Sequence, residues 1–231
     1  MIETENRDGI RLVTLKRPPV NALNLPLVQE LGKTVQDARD DVSCTALVLT
    51  GVEGFFSAGI DTREVPRYDA ATRSLMLRSI NRMIGELYSL PKPVVAAVSG
   101  HALGGAFVIM LAADLRLAAA GDFRLGLIEA AAGVPFPAGP LAVVQAELSP
   151  ENARLLALGS QPVGSQSLLE RGILDRVVDP AVLVMEAIGE ARRLATMQAY
   201  AKVKLQLRAA ACERLRRIVE DDEEPMHQGW T

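Results

Sequence analysis

From Pro93 to Ala113 the chain runs for 21 residues without an Asp, Glu, Lys or Arg. A surface element cannot look like this, so the fold must bury the segment on all sides. Its length alone would suit a membrane-spanning helix. Pro93 at its start, the SGH stretch and the Gly104-Gly105 pair argue against one. They divide the segment into a buried strand, PVVAAV at 93–98, a loop, and a buried helix, GGAFVIMLAA at 104–113.

The flanking sequence keeps the same rhythm. IRLVTL at 10–15, TALVLTG at 45–51 and DLRLAA at 114–119 read as further strands. Asn24 is placed to cap a helix with Pro26 in its first turn. Leu27, Val28, Leu31, Val35 and Ala38 carry that helix to Arg39, and Met76, Ile80, Met83, Ile84 and Leu87 form the stripe of a longer one. The strands are apolar runs more than alternations. Such strands are covered on both faces, which predicts stacked β-α units. Residues 121–140 are rich in Gly, Pro and Ala and read as loop. Helical patterns dominate after Pro150, ending in an amphipathic helix with Val203, Leu207, Ala211, Leu215 and Ile218 on one face. The expected organisation is an α/β core over 1–145 and a helical C-terminal region over 146–231.

Composition removes several functional classes. Lys plus Arg is 25 against 28 for Asp plus Glu, and aromatics make 4% of the chain. Neither a basic nucleic-acid surface nor a base-stacking platform is expected. Cys44 and Cys212 are the only cysteines, so there is no disulfide framework. His101 and His227 are the only histidines, which argues against a His/Cys zinc site, and no metal or cofactor is expected. The acidic, polar start MIETENRDG does not read as a signal peptide, and a cytoplasmic location is the simplest expectation.

The chemistry that remains is narrow. There is no P-loop, no GxSxG elbow, and the glycines of GHALGG have the wrong spacing for a dinucleotide fingerprint. His101 lies in a strand-to-helix loop, where a structural role is the plainer reading. Two glycine turns stand out, SAGID at 57–61 and Gly104-Gly105. If both faced one point, their backbone N–H groups would form an oxyanion hole; the plainer alternative is two ordinary tight turns. One carboxylate also stands out. Glu129 is the only charged residue between Arg124 and Glu147. Held among Leu127, Ile128 and a run of alanines, it would have a raised pKa suited to a general base, unless it is simply a loop glutamate. Lys202, Lys204, Arg208, Arg214, Arg216 and Arg217 make the last helix basic. That pattern fits a solvated face or, more sharply, a polyphosphate ligand.

Four ordered motifs carry a resemblance: LKRPPVNALN at 15–24, FFSAGID at 55–61, KPVVAAVSGHALGG at 92–105 and LGLIEAAAGVPFP at 125–137. RGILDRVVD at 171–179 adds a late strand. Together they resemble the enoyl-CoA hydratase/isomerase (crotonase) superfamily along nearly the whole chain. The resemblance implies a spiral of β-β-α repeats with a C-terminal helical region, assembled as a trimer or a pair of trimers. It implies an acyl-CoA thioester substrate, no further cofactor, and an enolate held by the amides of Ile60 and Gly105. Glu129 takes the place of the family's base. Ala22, Ala58, Gly59, Asp61 and Thr62 lie along the CoA path, and Leu103, Gly104 and Val108 line the thioester site.

Two departures shape the expected activity. Family hydratases carry a second glutamate three residues after the second glycine of the pair, and here that position is Val108. A single glutamate is the arrangement of the family's 3,2-trans-enoyl-CoA isomerases, whose PPVN and FSAG-D stretches are similar to those here. The family pattern also runs on through another helical segment beyond HQGWT. The leading expectation is a C3-to-C2 double-bond shift. The alternatives are another reaction of the superfamily, such as hydration, thioester hydrolysis or decarboxylation, or a non-catalytic acyl-CoA-binding subunit.

Overall fold

The structure, a computed structural model, describes residues 1–228. The chain opens with β1 (Ile2–Arg7), β2 (Ile10–Leu15) and α1 (Leu25–Asp40). Three turns of one pattern follow. The first is β3 (Ala46–Thr50), β4 (Gly54–Ser57) and α2 (Ala70–Ser89). The second is β5 (Val94–Val98), β6 (Gly100–Leu103) and α3 (Gly105–Leu111). The third is β7 (Leu115–Ala119), β8 (Leu125–Gly126), the single-turn α4 (Glu129–Ala132) and α5 (Ala138–Glu147). The remainder is α6 (Pro150–Ala153), α7 (Ser165–Glu170), β9 (Arg176–Val178), α8 (Leu183–Ala195), α9 (Tyr200–Leu207) and α10 (Ala209–Glu220).

Each β-β-α turn gives one strand to each of two sheets. The larger sheet has the order β1-β2-β3-β5-β7-β9, parallel except for β1. The smaller is parallel with the order β4-β6-β8. This is the expected spiral. The larger sheet is buried on both faces, which explains why its strands are apolar runs. One face of it (Val13, Leu47, Leu49, Val94, Ala96) joins the main core with α1, α2, α3 and α5. The other (Ile10, Leu12, Val48, Val95, Leu117) is covered by Leu183, Ala187, Ile188, Ala191 and Leu194 of α8. β9, from the C-terminal region, completes that sheet beside β7.

The helix caps are as expected at α1, where the Asn24 side chain accepts the Leu27 N–H at 3.0 Å and Pro26 sits in the first turn. Met76 and Met83 are core residues. The span 121–140 is more ordered than its composition implies, since it holds β8, α4 and the start of α5. The single last helix is corrected to two, α9 and α10, meeting at Arg208. Its apolar face is corrected as well: Val203 and Leu207 are exposed while Lys204 and Arg208 are buried. Ion pairs with Asp114 draw the charged side of α9 inward. Among the described residues no helix is long and apolar enough to cross a membrane. Gly229, Trp230 and Thr231, the end of the HQGWT tail, lie outside the described residues.

Candidate active site

The three strands of the small sheet run parallel, so their C-terminal ends lie side by side. β4 leads into Ala58-Gly59-Ile60, β6 into Gly104-Gly105 and β8 into Leu127-Ile128-Glu129. Both glycine turns and the isolated carboxylate are thus carried to one edge of one sheet. That edge is where open parallel sheets place ligands.

The first turn is held by residues the motif reading passed over. Asn21 is fully buried with φ +53; its amide donates to the Phe55 and Phe56 carbonyls at 3.1 Å and accepts the Arg17 N–H at 2.8 Å. The Ser57 hydroxyl donates to the Asn21 carbonyl at 2.7 Å and accepts the Gly59 N–H at 3.1 Å. Leu23 bridges Ile60: its N–H donates to the Gly59 carbonyl at 2.7 Å and its carbonyl accepts the Asp61 N–H at 2.9 Å. In such a parallel bridge the middle residue's own amide faces away. The Ile60 N–H accordingly has no partner among the described residues, and neither does that of Gly105, the first residue of α3.

Glycine is required where the turns meet. Gly59 has φ +82, and a Cβ there would lie 2.5 Å from the Leu103 carbonyl oxygen and 3.6 Å from the Gly105 nitrogen. Gly104 has φ +54, and a Cβ there would lie 3.4 Å from Glu129 Oε1. The first turn therefore lies against the second and the second against the carboxylate, with Leu23 against Gly105.

Glu129 differs from the other carboxylates around it. Its Oε2 is buried without a hydrogen-bond partner. Burial pushes its carboxyl up to about 7, against a smaller downward pull from its own N–H and that of Ile128. Asp61 shows the opposite. Burial raises it, but the Glu64 N–H and the Arg17 guanidinium outweigh burial and hold it below the ordinary carboxylate range. Asp61 accepts the Arg63 and Glu64 N–H groups and pairs with Arg17 at 2.8 Å, while Arg17 donates to the Ala22 carbonyl. Asp61 therefore stiffens the turn, and Ala22 is tied to it. Ala58, Ile60 and Leu103 are half-buried at the same edge, and Thr62 is exposed. Val108 lies one turn into α3 beyond Gly104, fully buried. No second carboxylate occupies that position.

The other sequence candidates are structural. The His101 ring packs between Phe55, tilted at 39°, and Phe123, edge-on at 84°, and its Nδ1 accepts the Arg124 N–H at 3.0 Å. Five of the six basic residues singled out in the last helices are absorbed by partners, and Lys202 is exposed. Arg214 bonds Gln145, Arg216 pairs with Glu213 and Glu220, and Arg217 pairs with Glu213. Lys204 and Arg208 meet Asp114 at 2.8 and 3.1 Å, and Glu147 pairs with Arg208 and Arg116. That cluster lines a cavity of about 790 Å³ with Tyr88 and Tyr200. Neither the glycine turns nor Glu129 reaches it. The described residues contain no cluster suited to a metal ion.

Comparison with known proteins agrees with this geometry. The family model described as enoyl-CoA hydratase/isomerase matches residues 5–229. The chain is 32% identical over 183 residues to the carnitinyl-CoA dehydratase of Escherichia coli K12, covering 79% of this chain and 69% of that one. An enoyl-CoA hydratase structure from Mycobacterium ulcerans superposes with a TM-score of 0.89 at 27% identity, covering 99% of both chains. A Mycobacterium tuberculosis protein, named an enoyl-CoA isomerase in one structure and a probable enoyl-CoA hydratase in another, superposes in the first with a TM-score of 0.87 at 26% identity, covering 100% of this chain and 98% of that one.

Proposed function

Because the chain belongs to the enoyl-CoA hydratase/isomerase family, we propose that it takes an enoyl-CoA thioester and moves its double bond from C3 to C2. The observation that carries this reading is that Glu129 stands alone at the site: its Oε2 is buried without a partner, its proton affinity is lifted to about 7, and Val108 stands where a second carboxylate would be.

The thioester carbonyl lies between the Ile60 and Gly105 N–H groups. Glu129 removes a proton from C2, and the C–H electron pair moves into the C1–C2 bond. The carbonyl oxygen gains the charge as a dienolate, which the two N–H groups stabilise because they are fixed in place and without other partners. Glu129, now protonated, returns the proton to C4, and the product is the conjugated 2-enoyl thioester. One base serves both steps. Its raised pKa suits this, since it must accept and release a proton near neutral pH. Ala22, Ala58, Gly59, Asp61 and Thr62 form the path for the CoA portion, and Leu103, Gly104 and Val108 the wall beside the thioester. Adding water needs a group to hold the water and another to deprotonate it, and Val108 does neither.

Hydration is the second reading, favoured by the dehydratase and hydratase names of the relatives. Two substrates separate the readings. Incubation with a 3-enoyl-CoA is expected to produce the absorbance of the conjugated thioester. Incubation with a 2-enoyl-CoA is expected to leave that absorbance nearly unchanged. Rapid loss of conjugated absorbance from the 2-enoyl-CoA, with no isomerisation of the 3-enoyl-CoA, would replace the isomerase reading with hydration.

A further inference from the structure

Glu129 opens α4, a helix of four residues, and a helix that short does not hold its own shape. It depends on what it leans against. The Ser160 hydroxyl accepts the Ala131 N–H at 3.0 Å and donates to the Leu127 carbonyl at 3.4 Å. Those groups lie two residues after and two before Glu129, so one hydroxyl spans the turn that carries the carboxylate.

Ser160 is itself firmly placed. It is buried at 8% exposure, and its N–H donates to the Leu156 carbonyl at 3.2 Å. Its φ is +48, in the left-handed region that glycine occupies without strain and other residues do not. A glycine here would relieve the backbone but would bring no hydroxyl. The segment that follows is anchored to the strand entering the turn: Val163 and Leu125 exchange N–H and carbonyl bonds of 2.9 Å, and Gly126 lies close against Pro162, where a Cβ would come within 3.0 Å of its Cα.

We propose that Ser160 is a positioning residue for the base: through Leu127 and Ala131 it holds the Glu129 carboxylate beside Gly104 and out of solvent. The proposal rests on the reading of Glu129 as the base. The elements packed round that carboxylate bring little charge to it. β8 and the Gly104 end of α3 contribute no titratable side chain, and the stretch 154–158 against α4 contributes only the exposed Arg154. Burial, maintained by the turn, is what sets its proton affinity.

Ser160→Gly and Ser160→Thr, assayed beside Glu129→Gln for isomerisation of a 3-enoyl-CoA, test this. Ser160→Gly relieves the strain and is expected to keep Tm, while kcat falls about tenfold as the carboxylate loses its fixed place. KM is expected to stay within about twofold, because the CoA path is untouched. The midpoint of the pH dependence of kcat/KM is expected to move below that of the wild type as water reaches Glu129. Ser160→Thr keeps the hydroxyl; its branched Cβ adds strain at φ +48 and is expected to lower Tm, while turnover per folded molecule keeps most of kcat. Wild-type kcat and pH midpoint in Ser160→Gly, with Glu129→Gln inactive, would overturn the proposal alone. A lowered Tm with both parameters unchanged would do the same, because it would show a purely structural role. Activity retained in Glu129→Gln would overturn the reading of the base, and this proposal with it.

Discussion

Two regions of the molecule hold charge away from solvent and treat it in opposite ways. Beside the 790 Å³ cavity, Asp114 meets Lys204 and Arg208, and Glu147 meets Arg208 and Arg116. Each charge has an opposite charge at hand, and Lys204 also donates to the Lys92 carbonyl and Arg208 to those of Tyr88, Ala112 and Ala113; the Arg116 Nε alone in the cluster is buried without a partner. Burial pushes the Lys204 ammonium down to about 8, with Asp114 pulling it back up. At the edge of the small sheet, Glu129 has no cation, and one of its oxygens has no partner at all. Cavity volume would point to the first region. Unmet chemistry points to the second. A paired cluster ties α9 to α2, α3 and α5, whereas a lone carboxylate keeps its capacity for a proton and costs stability.

The contrast is broken first by removing the lone charge. Glu129→Gln is expected to lower kcat about 10²- to 10⁴-fold, with CoA-thioester affinity retained, as measured by turnover and by equilibrium binding. Removing a paired charge should have the opposite profile. Asp114→Asn leaves Lys204 and Arg208 short of their partner and is expected to destabilise by about 3–5 kcal/mol, read by denaturant unfolding. Turnover per folded molecule and its pH midpoint should not move.

The stability of the protein should register the same difference through pH. The Glu129 carboxyl binds its proton more tightly in the folded state, about 7, than its ordinary 4.5. The folded state therefore holds more protons between those values, and stability falls as pH rises through that window. The contribution is at most about 3 kcal/mol. It should be absent in Glu129→Gln, which is expected to be the more stable protein at pH 8 and equal to the wild type near pH 4. The smallest effect belongs to the exposed pairs. Arg216→Ala cuts the contacts with Glu213 and Glu220 and is expected to leave Tm and kcat unchanged within error, because solvent screens them.

Much of the fold was legible because the larger sheet is buried on both faces. β3 and β5 are apolar runs, β2 reads by its alternation, β7 is apolar apart from Arg116, and Asn24 with Pro26 announces α1. β1 was not legible: it is an exposed edge strand, with five of its six residues exposed, and has no apolar pattern to read. β8 is two residues long, too short for any periodicity. The helical stripe through Val203 and Leu207 misled because ion pairing, which no periodicity records, decided which side of α9 faces inward. The site divides in the same way. Gly59, Gly104 and Glu129 could be found because a glycine turn and an isolated charge are visible one residue at a time. Asn21, Ser57 and Ser160 could not, since they act through hydrogen bonds to backbone groups distant in sequence.

The central claim is that one buried, unpaired carboxylate does the proton transfer. The pH dependence of kcat/KM for a 3-enoyl-CoA tests it most directly, because that parameter reports the titration of the free enzyme. The account predicts activity that rises with pH to a plateau with a midpoint near 7, the value to which burial lifts Glu129. A profile that stays flat from pH 8 down through pH 5 would contradict it, because the base would then be a group whose proton burial in this fold does not hold.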